Sequence, residues 1–295
     1  MRNAPTTALL LFCTTFAACG PTTRNAPGGD DDGGGSGVGS GGGSGGDNGS
    51  SYIMYAHSDS TLYSVDLTNK ALVVIGPFNA SAGSGSATGN VVMTDLAVAP
   101  DGTIYVISEQ ALYTASATNG QATMVGSLTS CGTEMVALTN TADGRLFVGD
   151  FHGSLCEIDI TTNPPTVKPP MTMSNGMALT GDFVGVGNGT IYGTAYNTAD
   201  HSGSGTQASN DLVTVDLTNG NTTVIGPTGY PDLFGVAAAN NEIFGFTHDG
   251  TGHVITIDPM TGAGTPFGTF TDPNSGQGIA FAGAGVNSMV AVTIQ

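Results

Sequence analysis

The sequence contains no tryptophan, only five lysine and arginine residues, and few charged residues overall. The 23 aspartates and glutamates leave a formal net charge of -18. A chain this acidic is repelled by phosphates and by anionic lipid surfaces, which excludes nucleic acid as a partner. The sequence also lacks any long segment with a 3.6-residue apolar period. Because an amphipathic helix needs that period, the sequence indicates an all-β fold.

The first eighteen residues have the organisation of a secretory signal peptide. Arg2 supplies a positive charge, residues 8–13 are apolar, and two alanines precede Cys19. The apolar segment is too short to cross a bilayer as a helix. Its end resembles the lipobox of bacterial lipoproteins. This resemblance implies that Cys19 carries lipid and, because Gly20 follows, that the protein is anchored at the outer membrane. An ordinary signal peptide that contains Cys19 by chance is the alternative.

The composition divides the chain into three parts: residues 1–18 as signal peptide, 19–51 as tether and 52–295 as one domain. The tether consists almost wholly of Gly, Ser, Asp, Asn, Pro and Thr, and we expect it to be disordered because it has no apolar surface to bury. If Cys13 leaves with the signal peptide and Cys19 is acylated, Cys131 and Cys156 remain. In an oxidising compartment these two cysteines are predicted to form a disulfide.

A unit of four short strands recurs in the domain with a period of roughly 40 to 50 residues. Its third strand has the pattern Leu-Tyr-x-Val-Asp-x-Thr at residues 62–68, with related segments at 112–118, 155–161, 212–218 and 254–261. A strand beginning Asp-Gly-x-Ile-Tyr precedes several copies, as at residues 101–105. This strand number and period are typical of β-propeller blades. The Asp that ends each third strand is interpreted as a turn former.

The terminal segments determine the number of blades. Three strands lie at the N-terminus (52–57, 61–66 and 72–76) and two at the C-terminus (279–282 and 288–294). We predict five blades, with N- and C-terminal strands paired in one blade to close the ring and the surplus strand Met289–Ile294 added to that sheet. Six blades is the alternative.

The repeats resemble the secreted bacterial propellers of the NHL and quinoprotein-like group through the two motifs quoted above. The resemblance covers nearly all of residues 52–295 and implies the fold but no activity. It carries no quinone site, because the tryptophan docking motifs of quinoprotein enzymes are absent from a chain without tryptophan.

Candidate ligand-binding residues lie in the hairpins that join the second and third strands of each blade, since these hairpins share one rim. The acids are Asp59, Glu109, Asp150, Asp200 and Asp249, and the histidines are His57, His152, His201 and His248. Such a ring could bind a ligand through imidazole and carboxylate groups. No cofactor is predicted; a divalent cation is the alternative. Because turns favour aspartate in any case, simple turn formation is the other interpretation.

The loops at the mouth of the hub suggest close backbone packing. Alignment of the first strands brings Asp95 and Met135 into register with Gly176, Gly235 and Gly278. Three glycines in five positions favour tight packing over an ion-binding ring.

The sequence therefore predicts a lipid-anchored binding or scaffolding module for a protein, peptide or glycan at the cell surface. The alternative is a hydrolase or lyase with its active site among the histidines and acids of the rim. The sequence contains no nucleophile motif, and it has few Arg and Lys residues to stabilise developing negative charge, which favours the binding module.

Overall fold

The computed structural model describes residues 53–80, 91–199 and 209–286. These residues form β-strands, one short 3-10 segment (Ser174–Gly176) and connecting turns, with no α-helix among them. Nor does the described part of the chain contain a helix long and apolar enough to span a bilayer. The strands are β1 (Met54–His57), β2 (Thr61–Asp66), β3 (Ala71–Pro77), β4 (Asp95–Val98), β5 (Ile104–Ile107), β6 (Ala111–Ala115), β7 (Ala122–Ser127), β8 (Met135–Asn140), β9 (Leu146–Asp150), β10 (Ser154–Asp159), β11 (Thr166–Val167), β12 (Met171–Thr172), β13 (Met177–Gly185), β14 (Ile191–Asn197), β15 (Asp211–Val215), β16 (Thr222–Pro227), β17 (Leu233–Ala239), β18 (Glu242–Thr247), β19 (His253–Ile257), β20 (Gly264–Thr269) and β21 (Gly283–Val286).

The strands form five antiparallel sheets, which are the blades of a five-bladed β-propeller. From the hub outward, blade 1 has the order β21-β1-β2-β3, blade 2 is β4 to β7, blade 4 is β13 to β16 and blade 5 is β17 to β20. Blade 3 has β8, β9 and β10, with β11 and β12 both paired to β10. The inner strands β4, β8, β13, β17 and β21 contact one another in that order, and β21 contacts β4. The ring is therefore closed, as the sequence predicted.

Blade 1 combines the two ends of the described chain, which confirms the predicted closure. Its inner strand differs from the prediction: it is β21, at residues 283–286, and not residues 279–282. Residues 279–282 instead connect blade 5 to the hub through single hydrogen bonds, such as that from the Ala282 N–H to the His57 carbonyl at 2.8 Å. The hub selects the later segment because Gly283 and Gly285 pack against Asp95 and Leu96, where a Cβ would clash. The predicted strand Met289–Ile294 lies outside the described residues.

The outer strand of blade 3 is broken into the two short pieces β11 and β12. Four prolines lie in or beside this segment, at positions 164, 165, 169 and 170. Proline has no N–H to donate to a neighbouring strand, so a continuous fourth strand cannot form here. A disulfide joins Cys131, in the connection from β7 to β8, to Cys156 in β10 with a Cα–Cα distance of 5.8 Å, which confirms the predicted pairing.

The core consists of five apolar clusters, each shared by two neighbouring blades. The aromatic residue that recurs in the second strands contributes to them: Phe147 and Phe244 are almost fully buried. Removing such side chains from water is the main stabilising term of the fold, at about 25 cal/mol per Å² of apolar surface. Because every cluster needs two blades, a single blade cannot bury its faces alone.

Glycine contacts join the outer strand of one blade to the last turn of the next blade. A Cβ on Gly76 in β3 would meet the Asn119 backbone of blade 2, and a Cβ on Gly120 would meet Gly76. The pair Gly226 and Gly262 repeats this arrangement between blades 4 and 5. The recurrent Ile-Gly and Asn-Gly dipeptides of the sequence thus mark places where two backbones touch.

The Asp at the end of the third strand is a turn former, as predicted. The Asp66 and Asp216 carboxylates each accept an N–H bond from the residue two positions later, at 2.9 and 2.8 Å. Hydrogen bonds from the backbone of Asn69 and from the hydroxyl of Thr218 are the main reason that the pKa values of the exposed Asp66 and Asp216 carboxyls are lowered. Stabilisation of an Asx turn accounts for the repetition of aspartate at this position without any further role.

Two buried carboxyl groups, those of Asp95 and Asp182, lie in the hub. The groups hydrogen-bond to each other, so one of them carries a proton. Asp95 accepts N–H bonds from Leu96 and Leu138 at 2.7 and 2.6 Å, and Asp182 accepts one from Val236 at 3.0 Å. Backbone N–H groups of Phe183 and Ala284 also donate to Asp182. All five inner strands thus contribute one donor to the acid pair.

The expected register at the hub mouth is wrong for Met135, Gly176 and Gly278. Strand pairing places Asp95, Ala137, Gly235 and Gly283 at equivalent positions, opposite Ile107, Gly149, Phe246 and His57 of the second strands. In blade 4 a bulge between Leu179 and Phe183 brings Asp182 to this level. Two of the five mouth positions are therefore acids and two are glycines. The bulge adds residues that an alignment of apolar segments cannot place.

Candidate ligand pocket on the hairpin face

A pocket of about 300 Å³ opens on the face that carries the hairpins between second and third strands; we call this the hairpin face. Its floor consists of Met93, Thr94, Val136 and Ala282, from the segments that enter the inner strands or begin them. Three carboxylates, Asp59, Glu109 and Glu134, stand around it, and Phe151, Phe234 and His248 form one wall. Blades 1, 2, 3 and 5 all contribute, so the pocket exists only in the closed ring.

The wall is a row of three rings. The His248 imidazole stacks on Phe234 with ring centroids 4.6 Å apart, and Phe151 meets Phe234 edge to face at 6.2 Å. Phe234 is the bulged residue of β17, between Leu233 and Gly235, and a bulge redirects the side chain of the extra residue. The Tyr196 hydroxyl donates a 2.6 Å hydrogen bond to the Phe151 carbonyl. The wall is thus held by backbone geometry and by a buried tyrosine.

Two histidines of this face are paired with carboxylates. His248 Nε2 lies 3.4 Å from Asp59 Oδ1, across the junction of blades 5 and 1. His152 Nε2 lies 3.0 Å from Glu134 Oε2, beside the pocket. Glu134 has a φ of +60°, which is unusual for a residue with a side chain. Its loop holds this conformation at the entrance to β8, where the carboxylate reaches the pocket.

Of the nine predicted ligand-binding residues, Asp59, Glu109 and His248 line the pocket, and His152 contacts it through Glu134. Asp150 is buried and accepts N–H bonds from His152 and Ser154 at 2.9 and 2.7 Å.

The remaining predicted residues lie elsewhere. Asp249 accepts hydrogen bonds from Thr247 and Thr251, so it holds its own hairpin. His57 is fully buried beneath the face. Asp200 and His201 lie outside the described residues.

Sequence reasoning missed Glu134, Phe151 and Phe234. Glu134 and Phe234 lie where the chain enters the inner strands, on the hairpin face. The sequence pattern of these segments was interpreted only as packing at the hub, and not as part of a ligand site. The sequence did contain a signal for Phe234. It is a large aromatic residue directly after Leu233, in a strand whose remaining residues are small. Phe151 stands between Asp150 and His152 in a hairpin that was read for its polar residues.

The chemistry of the pocket is that of a site for positive charge. Among the described residues that line it there is no Lys, Arg, Ser or Cys. Its one hydroxyl, that of Thr94, donates at 2.7 Å to the Met135 carbonyl. Carboxylates accept charge-assisted hydrogen bonds from ammonium or guanidinium groups, and aromatic faces attract the same cations. Nowhere in the described ranges do three His, Cys, Asp or Glu side chains converge as ligands for a metal ion.

No protein-family model matches the sequence, and no curated protein matches it. Among solved structures, a chain of a nidogen/laminin complex is similar at 13% identity, with 80% of this chain and 98% of that chain covered and a TM-score of 0.50. Virginiamycin B lyase from Staphylococcus aureus is similar at 11% identity, with 74% and 66% covered and a TM-score of 0.42. The PQQ-bound aldose sugar dehydrogenase from Streptomyces coelicolor is similar at 14% identity, with 66% and 68% covered and a TM-score of 0.42. At 13% identity, the similarity to the chain of the nidogen/laminin complex shows a shared fold and nothing more.

Proposed function

We propose that this propeller is a binding module whose hairpin-face pocket accepts a positively charged side chain of a peptide or protein partner. The observation that carries the proposal is the union of three carboxylates and an aromatic wall in one pocket without a lysine or arginine in its lining. Asp59 and Glu134 are each more than half exposed, so they keep their charge available to a ligand. A peptide is favoured over a neutral glycan because a glycan would leave these charges unpaired.

The magnitudes suit a recognition site. A hydrogen bond to a charged group contributes about 1.5–3 kcal/mol, and a cation over an aromatic face contributes about 0.5–2 kcal/mol. One lysine or arginine in contact with two carboxylates and a ring therefore gives binding in the millimolar to micromolar range. The net charge of -18 adds long-range attraction that accelerates encounter with a basic partner.

Binding of a fluorescently labelled tetra-arginine peptide, followed by fluorescence polarisation, tests the proposal. We expect binding to the unmodified domain and none of a tetra-glutamate peptide. The double variant Asp59→Asn/Glu109→Gln is expected to lower affinity at least about tenfold, since each lost charge contact contributes about 1 kcal/mol or more.

A charge-matched control variant distinguishes binding in the pocket from general attraction of the basic peptide to an acidic surface. The double variant Asp101→Asn/Glu242→Gln removes the same charge from exposed positions that do not line the pocket. Phe234→Leu changes the wall without changing charge and is also expected to weaken binding. Equal losses in the two double variants, with no effect of Phe234→Leu, would contradict the proposed pocket.

The second candidate function is a hydrolase or lyase, and the His248–Asp59 pair favours it because a carboxylate can orient an imidazole that acts as a base. Mass spectrometry of the tetra-arginine peptide after prolonged incubation separates the two functions. Cleavage that His248→Gln abolishes while affinity persists would indicate an enzyme, whereas an intact peptide supports the binding module.

We further propose that the domain is presented at the bacterial cell envelope by lipid on Cys19, most simply at the outer membrane. The organisation of residues 1–18 and the glycine-rich composition of residues 19–51 support this.

A further inference from the structure

The buried acid pair and His57 form a cluster of titratable groups that the pocket does not use. His57 is fully buried, and its Nδ1–H donates to the Ser58 carbonyl at 2.8 Å. Its Nε2 atom is buried and has no hydrogen-bond partner. A Cβ on Gly283 would lie 2.5 Å from this Nε2 and in contact with Asp95 Oδ1. The free nitrogen and Asp95 Oδ1 therefore border the same space, the one that a side chain at Gly283 would fill, and His57 faces the acid pair there.

The same strand, β21, covers both halves of the cluster. Gly283 lies against both His57 and Asp95, and the Ala284 N–H donates to Asp182. His57 is also the residue that pairs with Gly283 in the sheet of blade 1. Among the described strands, β21 pairs in blade 1 only with β1. If β21 leaves its place, water reaches both His57 and the two carboxyls.

We propose that β21 is a proton-controlled latch of the ring: closing it requires a neutral His57 and one proton shared by Asp95 and Asp182, and opening it allows His57 to take up a proton and the acid pair to release one. Among the residues that the structure describes, the hub has no other buried charged group able to offset these changes. The ionisable groups that face His57 are Asp59 in its own hairpin, His248 of blade 5 and the acid pair.

The electrostatics agree with this geometry. Burial lowers the pKa of His57 from 6.5 to about 4. Burial raises the pKa of both Asp95 and Asp182 well above its ordinary range, and the charge of Asp182 raises that of Asp95 further. Between pH 4 and 6.5 the open latch therefore binds a proton at His57 that the closed latch does not bind. Over the same range the closed latch holds a proton on the acid pair that the open latch has lost.

These two effects have opposite signs. The His57 contribution to closure is complete above pH 6.5 and is lost as the pH falls toward 4. The acid-pair contribution is complete below the ordinary aspartate pKa and is lost as the pH rises. In the unmodified protein the two contributions offset each other between pH 5 and 6.5. Replacing His57 leaves only the pH dependence of the acid pair, and replacing one acid leaves only that of His57.

Hydrogen exchange of the amides in β1 and β21, measured from pH 5 to 7.5 and divided by the rate of an unstructured amide at each pH, tests the latch. In the unmodified protein the opening constant should change little between pH 5 and 6.5. In His57→Gln it should rise with pH by up to about tenfold per pH unit. In Asp182→Asn it should rise as the pH falls, by about 20- to 30-fold from pH 7.5 to 5, as expected from the pKa of His57.

Amides of β18 in blade 5 report whether the opening is local, and His253→Gln, which changes an exposed histidine, is the matched control. Circular dichroism shows whether each variant folds; if Asp182→Asn does not, Asp95→Asn removes the same shared proton. The latch is overturned if His57→Gln and the folded acid variant have the same pH profile as the unmodified protein.

Discussion

Buried polar side chains in and beside the hub differ in how well they are paired. Asp182 accepts backbone hydrogen bonds, whereas for Asn140, only 4% exposed at the end of β8, the described residues offer no partner to either its Nδ2 or its Oδ1 atom. Its side chain lines a cavity of about 20 Å³ together with Asp182 and Leu138. An unpaired buried amide costs about 1–3 kcal/mol, so this position, like His57 Nε2, is a weak point of the hub.

Replacement of Asn140 by leucine is expected to increase the free energy of unfolding by about 1 kcal/mol, because it removes two unsatisfied polar atoms and keeps the volume. Urea unfolding followed by far-ultraviolet circular dichroism measures the change. Asn140→Ala serves as control: it removes the same atoms but leaves a larger cavity, and it should gain less. A loss of stability in Asn140→Leu would indicate that the amide has a partner in solution.

At the scale of the element, neighbouring blades are joined where glycines let two backbones meet. The contact recurs between blades 1 and 2 and between blades 4 and 5. Between blades 5 and 1 the turn residue is Lys70, at a φ of +51°, and its side chain packs against Gly268. Lys70 Nζ also donates to the Phe267 carbonyl at 2.5 Å and lies 4.6 Å from the centre of its ring. The ring closure thus replaces a glycine contact with a side-chain contact.

Replacement of Gly120 by alanine is expected to destabilise the domain by more than the strain of the positive φ at this position alone. Gly120 and Gly229 have φ values of +76° and +78°, but a Cβ on Gly229 meets no atom within 4 Å. Gly229→Ala should therefore cost about 1 kcal/mol from strain alone, and Gly120→Ala should cost about 1–3 kcal/mol more from the forced separation of blades. Thermal unfolding of both variants compares them directly. Equal losses would show that the blade contact adjusts freely.

The elements themselves were mostly predictable, because a period-2 apolar pattern and turn residues define short strands. The innermost strand of blade 1 was not. Residues 279–282 are more apolar than Gly283–Val286, so a hydrophobic pattern favours the earlier segment. In the fold, contact with Asp95 and Leu96 excludes Cβ atoms at alternate positions and selects glycine. Tertiary packing overrides local preference at that strand.

At the scale of the whole molecule, the sequence was sufficient for five blades, their closure and the disulfide, but only partly for the pocket. Asp59, Glu109 and His248 were found because they recur on one rim. Phe151 and Phe234 follow from no repeat, since each occurs in one blade only. Which rim residues converge depends on the turn of each hairpin and on the diameter of the hub, and neither can be read from one strand pattern.

At this scale we also predict that the full-length chain is attached to the cell envelope by lipid on Cys19. We expect the full-length protein, expressed in a bacterium fed an alkyne-labelled fatty acid, to incorporate the label and to partition with the membrane fraction. Cys19→Ser should abolish both, and Cys13→Ser, which changes a cysteine inside the apolar segment, should abolish neither. Labelling that persists in Cys19→Ser would contradict the anchor.

The closure of blade 1 also sets an order of events during synthesis. β1 to β3 leave the ribosome first, yet they remain without their inner partner until Val286 has been made. Asp59 and His248, 189 positions apart, come together only at the same moment. A nascent chain therefore has neither a finished pocket nor a covered hub until almost all of the domain has been synthesised, and no shorter translation product can display the pocket.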